Sequence, residues 1–115
     1  MKRGEVFWAN LAPRSGAEQA GRHPVVVVSH DGFNEAPGWR SVIVVPLSTS
    51  ETQARRGPTA VLLPPGSAGL KKGGVALCHQ VTTIDRGKLT DRVGVLSGAM
   101  VSRLADGLRA ALDLE

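Results

Sequence analysis

Val25-Val26-Val27-Val28 is apolar and β-branched at every position. A strand with one wet face alternates apolar and polar residues, so an unbroken run of this kind is buried on both faces. Val42-Ile43-Val44-Val45 is its counterpart. The other apolar runs are equally short. They are Glu5–Leu11, Thr59–Leu63 ended by Pro64-Pro65-Gly66, Val75–Ile84 as one long strand or two with a bend, and Arg92–Leu96. Six short strands separated by Gly and Pro turns predict a small barrel or sandwich.

The period changes near the C-terminus. Met100, Leu104, Leu108 and Leu112 recur every fourth residue, with Val101, Ala105 and Ala111 beside them, which predicts one apolar face of a helix. Ser97 stands where an N-cap belongs. Gly107 costs such a helix about 1 kcal/mol relative to Ala, so packing must hold that turn. The expected architecture is mainly β with a C-terminal α-helix, in a single domain over residues 1–115. This is an ordinary length for one domain.

Several classes of function are excluded by what the chain lacks. No apolar run approaches the ~18 residues of a membrane span. Met1–Trp8 contains Lys2, Arg3 and Glu5, with no uncharged signal core or cleavage site, so a cytoplasmic protein is expected. Cys78 is the one cysteine, which excludes an internal disulfide or a multi-cysteine metal site. His23, His30 and His79 show no metal-binding spacing, so neither metal nor cofactor is expected. Fourteen Lys and Arg against ten Asp and Glu give a net charge of +4. That balance favours a polyanionic partner such as nucleic acid. Only Phe7, Trp8, Phe33 and Trp39 are aromatic, which makes a broad base-stacking platform thin.

Three segments carry residues suited to chemistry. The first, Glu18-Gln19-Ala20-Gly21-Arg22-His23-Pro24, enters the Val25–Val28 strand. Pro24 forces His23 into an extended conformation, and the strand fixes its direction. Arg22 offers a permanent planar donor fork, and a histidine exchanges protons near neutrality. The second is Ser48-Thr49-Ser50, after Val45-Pro46-Leu47. Its hydroxyls suit a phosphate oxygen, and the same residues also serve ordinary turn chemistry. The third is His79–Lys88. Strict alternation would put Gln80, Thr82 and Ile84 on one face, with Arg86 and Lys88 at the end to meet phosphates. Read plainly, the first and third are a solvated loop and an amphipathic strand. Gly66–Gly74, with Lys71-Lys72, reads as a turn with a basic rim rather than a phosphate loop.

Taken in order, these segments resemble the MazF/PemK toxin family of type II toxin–antitoxin systems. The resemblance runs from Arg3-Gly4-Glu5-Val6 through Leu11-Ala12-Pro13, Gly16–Gly21, Arg22–Ser29 and Val44–Thr49. It continues to Gly74–Leu77, Gln80–Asp85 and Leu89. It implies a compact SH3-like β-barrel of the CcdB/PemK type with a C-terminal helix. It also implies sequence-specific, metal-independent endoribonuclease cleavage of single-stranded RNA, leaving 2′,3′-cyclic phosphate and 5′-hydroxyl ends and so inhibiting translation. A homodimer is implied, neutralised by a MazE-like antitoxin whose acidic disordered tail fills the RNA groove.

Carried over by position, the family's hydroxyl after Val-Pro falls on Ser48. Its key arginine, directly before the proline, falls on His23, with Arg22 one place earlier. The catalytic set is then Arg22, His23 and Ser48, and proton transfer is open between Arg22 and His23. Glu18, Gln19, Thr49, Gln80, Arg86 and Lys88 form the expected RNA contacts. Two other readings compete. One is a non-catalytic nucleic-acid-binding barrel. The other is a gyrase-poisoning CcdB-like toxin, which needs a C-terminal aromatic that Ala110–Glu115 lacks. Dimerisation is expected through apolar surface that one small barrel leaves uncovered, with Leu104 and Leu108 as its helical part.

Overall fold

The computed structural model describes residues 1–11, 21–49, 55 and 57–115. Seven strands are present among them. They are β1 (Glu5–Asn10), β2 (Arg22–Val27), β3 (Ser41–Ser48), β4 (Ala60–Leu63), β5 (Gly74–Leu77), β6 (Thr82–Asp85) and β7 (Leu89–Val95). Helix α1 (Asp31–Asn34) lies between β2 and β3, and α2 (Gly98–Leu112) closes the chain. The run Val75–Ile84 is therefore two strands, separated by a 3-10 turn over Cys78–Gln80. The expected alternation holds within β6, where Ile84 is buried and Thr83 exposed, but not in the turn that carries Gln80.

All pairings are antiparallel, in the order β4-β5-β3-β2-β1-β7, with β6 also on β3. One edge of β3 takes β2. Its other edge takes β6 along Ser41–Val44 and then β5 at Leu47 and Ser48. The sheet changes direction there and wraps around an interior, as in a small barrel.

The Val25–Val27 stretch of β2 and the Val42–Leu47 stretch of β3 are apolar because they separate two cores. Val26, Val45 and Leu47 enter one, with Val6, Val61, Leu63, Ala76, Cys78, Leu96 and Leu104. Val25, Val27, Val42 and Val44 enter the other, with Ala9, Leu11 and Ile84. Ile43 is the exception at 40% exposure. Burying a Val side chain on either face stabilises the fold by roughly 1.5 kcal/mol or more, so dry faces on both sides fix the centre of the sheet.

α2 packs on the first core through Leu104, with Met100, Val101, Leu108 and Ala111 at its margin. Ser97 caps it, accepting from the Met100 amide at 3.2 Å. Leu112 is left exposed and Ala111 takes the last inward place. Leu104, 1% exposed, is spent inside the chain and has no surface to give a second copy. Leu108 packs against the same core but stays partly exposed, so Leu104 alone is removed from the expected partner surface.

Two close approaches set the shape of the molecule. The 3-10 turn Ser67–Gly69 lies against β7 so tightly that a methyl group on Gly94 would sit 2.3 Å from the Ala68 carbonyl oxygen. That contact holds the following Leu70–Gly73 loop over the sheet. On the other side, a methyl on Gly107 would lie 2.7 Å from Cys78 Sγ and 2.8 Å from Val61 Cγ2. Burial there pushes the Cys78 thiol up to about 11, leaving it a protonated core residue.

Gly107→Ala tests this packing. The helix gains about 1 kcal/mol in propensity, but overpacking a buried contact costs about 1–3 kcal/mol. The expected outcome is a lower Tm, read by thermal melting. A raised Tm would show that helix and barrel are free to separate.

Candidate active site

The β2–β3 ladder ends at Val25 opposite Pro46. His23 and Ser48 each lie two residues past that rung, on adjacent strands. Pro24, next along β2, has no amide hydrogen to extend the pairing. The strand ends are thus released from one another where their side chains become polar.

A cavity of about 550 Å³ opens at this place. Trp8 of β1, Pro24 and Leu47 supply apolar walls. Arg22, His23, Ser48 and Thr49 supply donors, and the loop of Leu70, Lys71, Lys72 and Gly73 closes one side. Among the described residues that line it, Arg22, Lys71 and Lys72 are cations and none is a carboxylate. Such a site attracts a phosphate and offers it hydroxyl, imidazole and guanidinium groups together.

The pleat separates Arg22 from His23. Arg22 pairs with Asn10 and His23 with Ala9. His23 therefore shares its face with Val25 and Val27, whereas Arg22 shares its face with Pro24 and Val26. On that side Trp8, opposite Pro24, meets Arg22 diagonally. The guanidinium carbon lies 4.4 Å from the centre of the indole ring, a cation–π arrangement. Its Nη2 donates to Asp91 Oδ2 at 3.0 Å, with the Arg22 side chain still about half exposed.

The expected site residues thus divide. Arg22, His23, Ser48 and Thr49 come together. Glu18 and Gln19 lie outside the described residues. Gln80 sits on the Cys78–Gln80 turn beneath α2 and does not line the cavity. Arg86 and Lys88 occupy a 3-10 turn after β6, at the Ser41 end of β3 and away from Ser48. Arg86 donates there to the carbonyls of Trp39 at 2.9 Å and Asn34 at 2.8 Å, tying down the segment between β2 and β3. Arg40 and Asp85 pair beside it.

Four contributors escape a reading by sequence segment. Lys71 and Lys72 reach the cavity through the loop that Gly94 holds down, Trp8 floors it from β1, and Asp91 arrives from β7. The basic rim at Lys71-Lys72 was visible in the sequence, but its destination depends on tertiary packing. Among the described residues, no group of three or more His, Cys, Asp or Glu side chains is placed to hold a metal ion. Among the described residues, too, no helix is long and apolar enough to cross a membrane.

Residues 2–112 match the family of PemK-like, MazF-like toxins of type II toxin–antitoxin systems. The chain belongs to that family. It is 32% identical over 114 residues to endoribonuclease MazF6 of Mycobacterium tuberculosis, covering 99% of this chain and 98% of that protein. It is also 32% identical over 114 residues to endoribonuclease EndoA of Bacillus subtilis, covering 99% and 96%. Among solved structures, MazF from Deinococcus radiodurans superposes with a TM-score of 0.80 at 25% identity, over 99% of this chain and 97% of that one. A mycobacterial endoribonuclease in complex with its cognate antitoxin gives 0.81 at 24% identity, over 100% and 97%. The fold is that of the MazF toxins, the CcdB/PemK type.

Lys71→Ala and Lys72→Ala should each weaken binding of a single-stranded oligonucleotide and reduce the salt slope of log K by about 0.7. Fluorescence anisotropy across a salt series measures this. Unchanged slopes would place the phosphates elsewhere.

Proposed function

We propose that this chain is the toxin of a type II toxin–antitoxin pair, a cytoplasmic endoribonuclease that cleaves single-stranded RNA without a metal. The carrying observation is the convergence of Arg22, His23, Ser48 and Lys71 and Lys72 on one cavity. Homologues over the full chain are named endoribonucleases, which supports the same reading.

The substrate's own 2′-hydroxyl attacks the adjacent phosphorus. The P–O5′ bond breaks, leaving a 2′,3′-cyclic phosphate and a 5′-hydroxyl. One proton must leave the 2′-oxygen and one must reach the 5′-oxygen. His23 is the proton carrier in this scheme, because imidazole changes charge near neutrality and guanidinium does not. Arg22 holds a non-bridging oxygen as a fixed cation. Ser48 donates to the charge that builds on the phosphoryl oxygens, and Thr49 binds beside it. Cleavage of messenger RNA in this way stops translation.

The partners follow from the same chemistry. A cavity with three cations and no carboxylate among its described lining residues suits an acidic, disordered antitoxin tail in place of RNA, as in a MazE-like antitoxin. A homodimer would join two such cavities into one basic groove. Its apolar contact must come from surface left outside the cores, of which Leu62, 51% exposed on edge strand β4, is an example.

RNA cleavage in EDTA, with the new 5′ ends sequenced, tests the activity. Ser48→Ala should slow cleavage about 10²-fold while leaving the fold intact, the usual cost of one donor to a developing oxyanion. Binding without any cleavage would return the chain to a non-catalytic nucleic-acid-binding barrel.

The division of labour has a pH signature. Proton transfer through His23 makes cleavage depend on pH. His23→Gln should remove activity and that dependence together, and Arg22→Ala should mainly raise KM. A flat profile with His23→Gln active and Arg22→Ala dead would move proton transfer to Arg22.

A further inference from the structure

β1 and β7 do not pair evenly at Trp8. Phe7 pairs with Arg92 and Ala9 with Leu89, so Thr90 and Asp91 together stand against the single Trp8. This is a β-bulge, which bends its strand and re-aims the side chains it carries. The bulge is fastened at the same residue, because the Thr90 hydroxyl donates to the Trp8 carbonyl oxygen at 3.1 Å. The displaced neighbour, Asp91, accepts from Arg22 Nη2 at 3.0 Å, and the same guanidinium lies over the Trp8 ring.

We propose that the Thr90–Asp91 bulge is a positioning device for Arg22, with Asp91 as a positioning residue that holds the guanidinium flat on Trp8 at the cavity mouth. The inference rests on the reading of Arg22 as the phosphate clamp.

A bare arginine on a strand end samples many rotamers and loses that freedom when it meets a phosphate. Stacking on Trp8 removes part of this freedom beforehand, and the Asp91 bond fixes rotation in the ring plane. The Asp91 contact uses Nη2 alone, and the guanidinium carries further N–H donors for an incoming oxygen. Asp91 lies outside the cavity lining, so it acts through Arg22 rather than on the RNA. The pair is exposed, its side chains 54% and 77% accessible. Surface pairs of this kind contribute little to folding, which leaves orientation as its effect.

Asp91→Asn separates orientation from simple charge. Removing a carboxylate near an RNA site lowers KM if the carboxylate only repels phosphate. It raises KM if the carboxylate holds the clamp in place. We expect KM to rise about fivefold to tenfold, with kcat changed less than about twofold and Tm unaltered. Asp91→Glu should restore most of the loss. In an Arg22→Ala background, Asp91→Asn should add nothing.

A readout independent of cleavage is the ring-current shift that Trp8 imposes on the Arg22 side-chain resonances in NMR spectra. It should be present in the native protein and collapse in Asp91→Asn. Thr90→Val, which removes the hydroxyl clasp, should diminish it. A KM unchanged or lowered, a loss that persists without Arg22, or a shift retained in Asp91→Asn would overturn the proposal. Failure of the native protein to cleave RNA would sink the proposed function instead, and the NMR comparison would still decide the role of Asp91.

Discussion

β2 and β3 are dry on both faces, and the position of the site follows from where that condition ends. Val25 and Val27 enter one core and Val26 the other, so neither face of the pair tolerates a polar side chain along this stretch. Their shared ladder stops at Val25 and Pro46. Prolines near the last rung deprive it of amide donors, and beyond it the strands begin to carry His23, Arg22, Ser48 and Thr49. Chemistry is therefore confined to one end of the sheet by the same burial that stabilises it. The opposite end of β3 is occupied differently, by Arg86 and Arg40 holding turns in place.

The second constraint is the contact of Ala68 with Gly94. Without a side chain on Gly94, the Ser67–Gly69 turn reaches the backbone of β7, and the two lysines that follow are carried to the cavity. An open shelf of strand ends becomes a walled site with a basic side. The enclosing loop adds the positive charge of Lys71 and Lys72 to that wall.

Much of this was legible before any coordinates. Valine runs without polar interruption announced strands buried on both faces, and the change from period two to period 3.6 announced α2. The Ser97 cap was placed by its hydroxyl alone. Gly107 needs packing to hold its turn of helix, and Cys78 and Val61 supply it. What the sequence leaves open shares a cause. Val75–Ile84 reads as one long strand or two with a bend, and the turn at Cys78–Gln80 that decides for two forms where the chain passes beneath α2. Arg86 resembles a phosphate contact in sequence, yet its partners Asn34 and Trp39 are about fifty residues away. Lys71, Lys72 and Asp91 join the site through contacts between distant segments, and a bulge leaves no compositional trace.

Arg22 and His23 are adjacent in sequence but cannot exchange places. Sliding β2 by one residue would bring Arg22 to the position of His23, and it would also move every following side chain to the opposite face. From Val25 to Val28 those residues are all valines, so apolar patterning alone resists the slip weakly. Pro24 resists it more strongly. It stands opposite Trp8, where the ladder tolerates its missing donor, and a slip would shift that gap along the strand. Arg22 is held from a third direction by Asp91 and by the face of Trp8. The guanidinium and the imidazole therefore reach the cavity from opposite sides of the pleat. In the mechanism proposed above they serve as fixed cation and proton carrier, which attack by an internal hydroxyl on phosphorus requires because charge must be held while protons move.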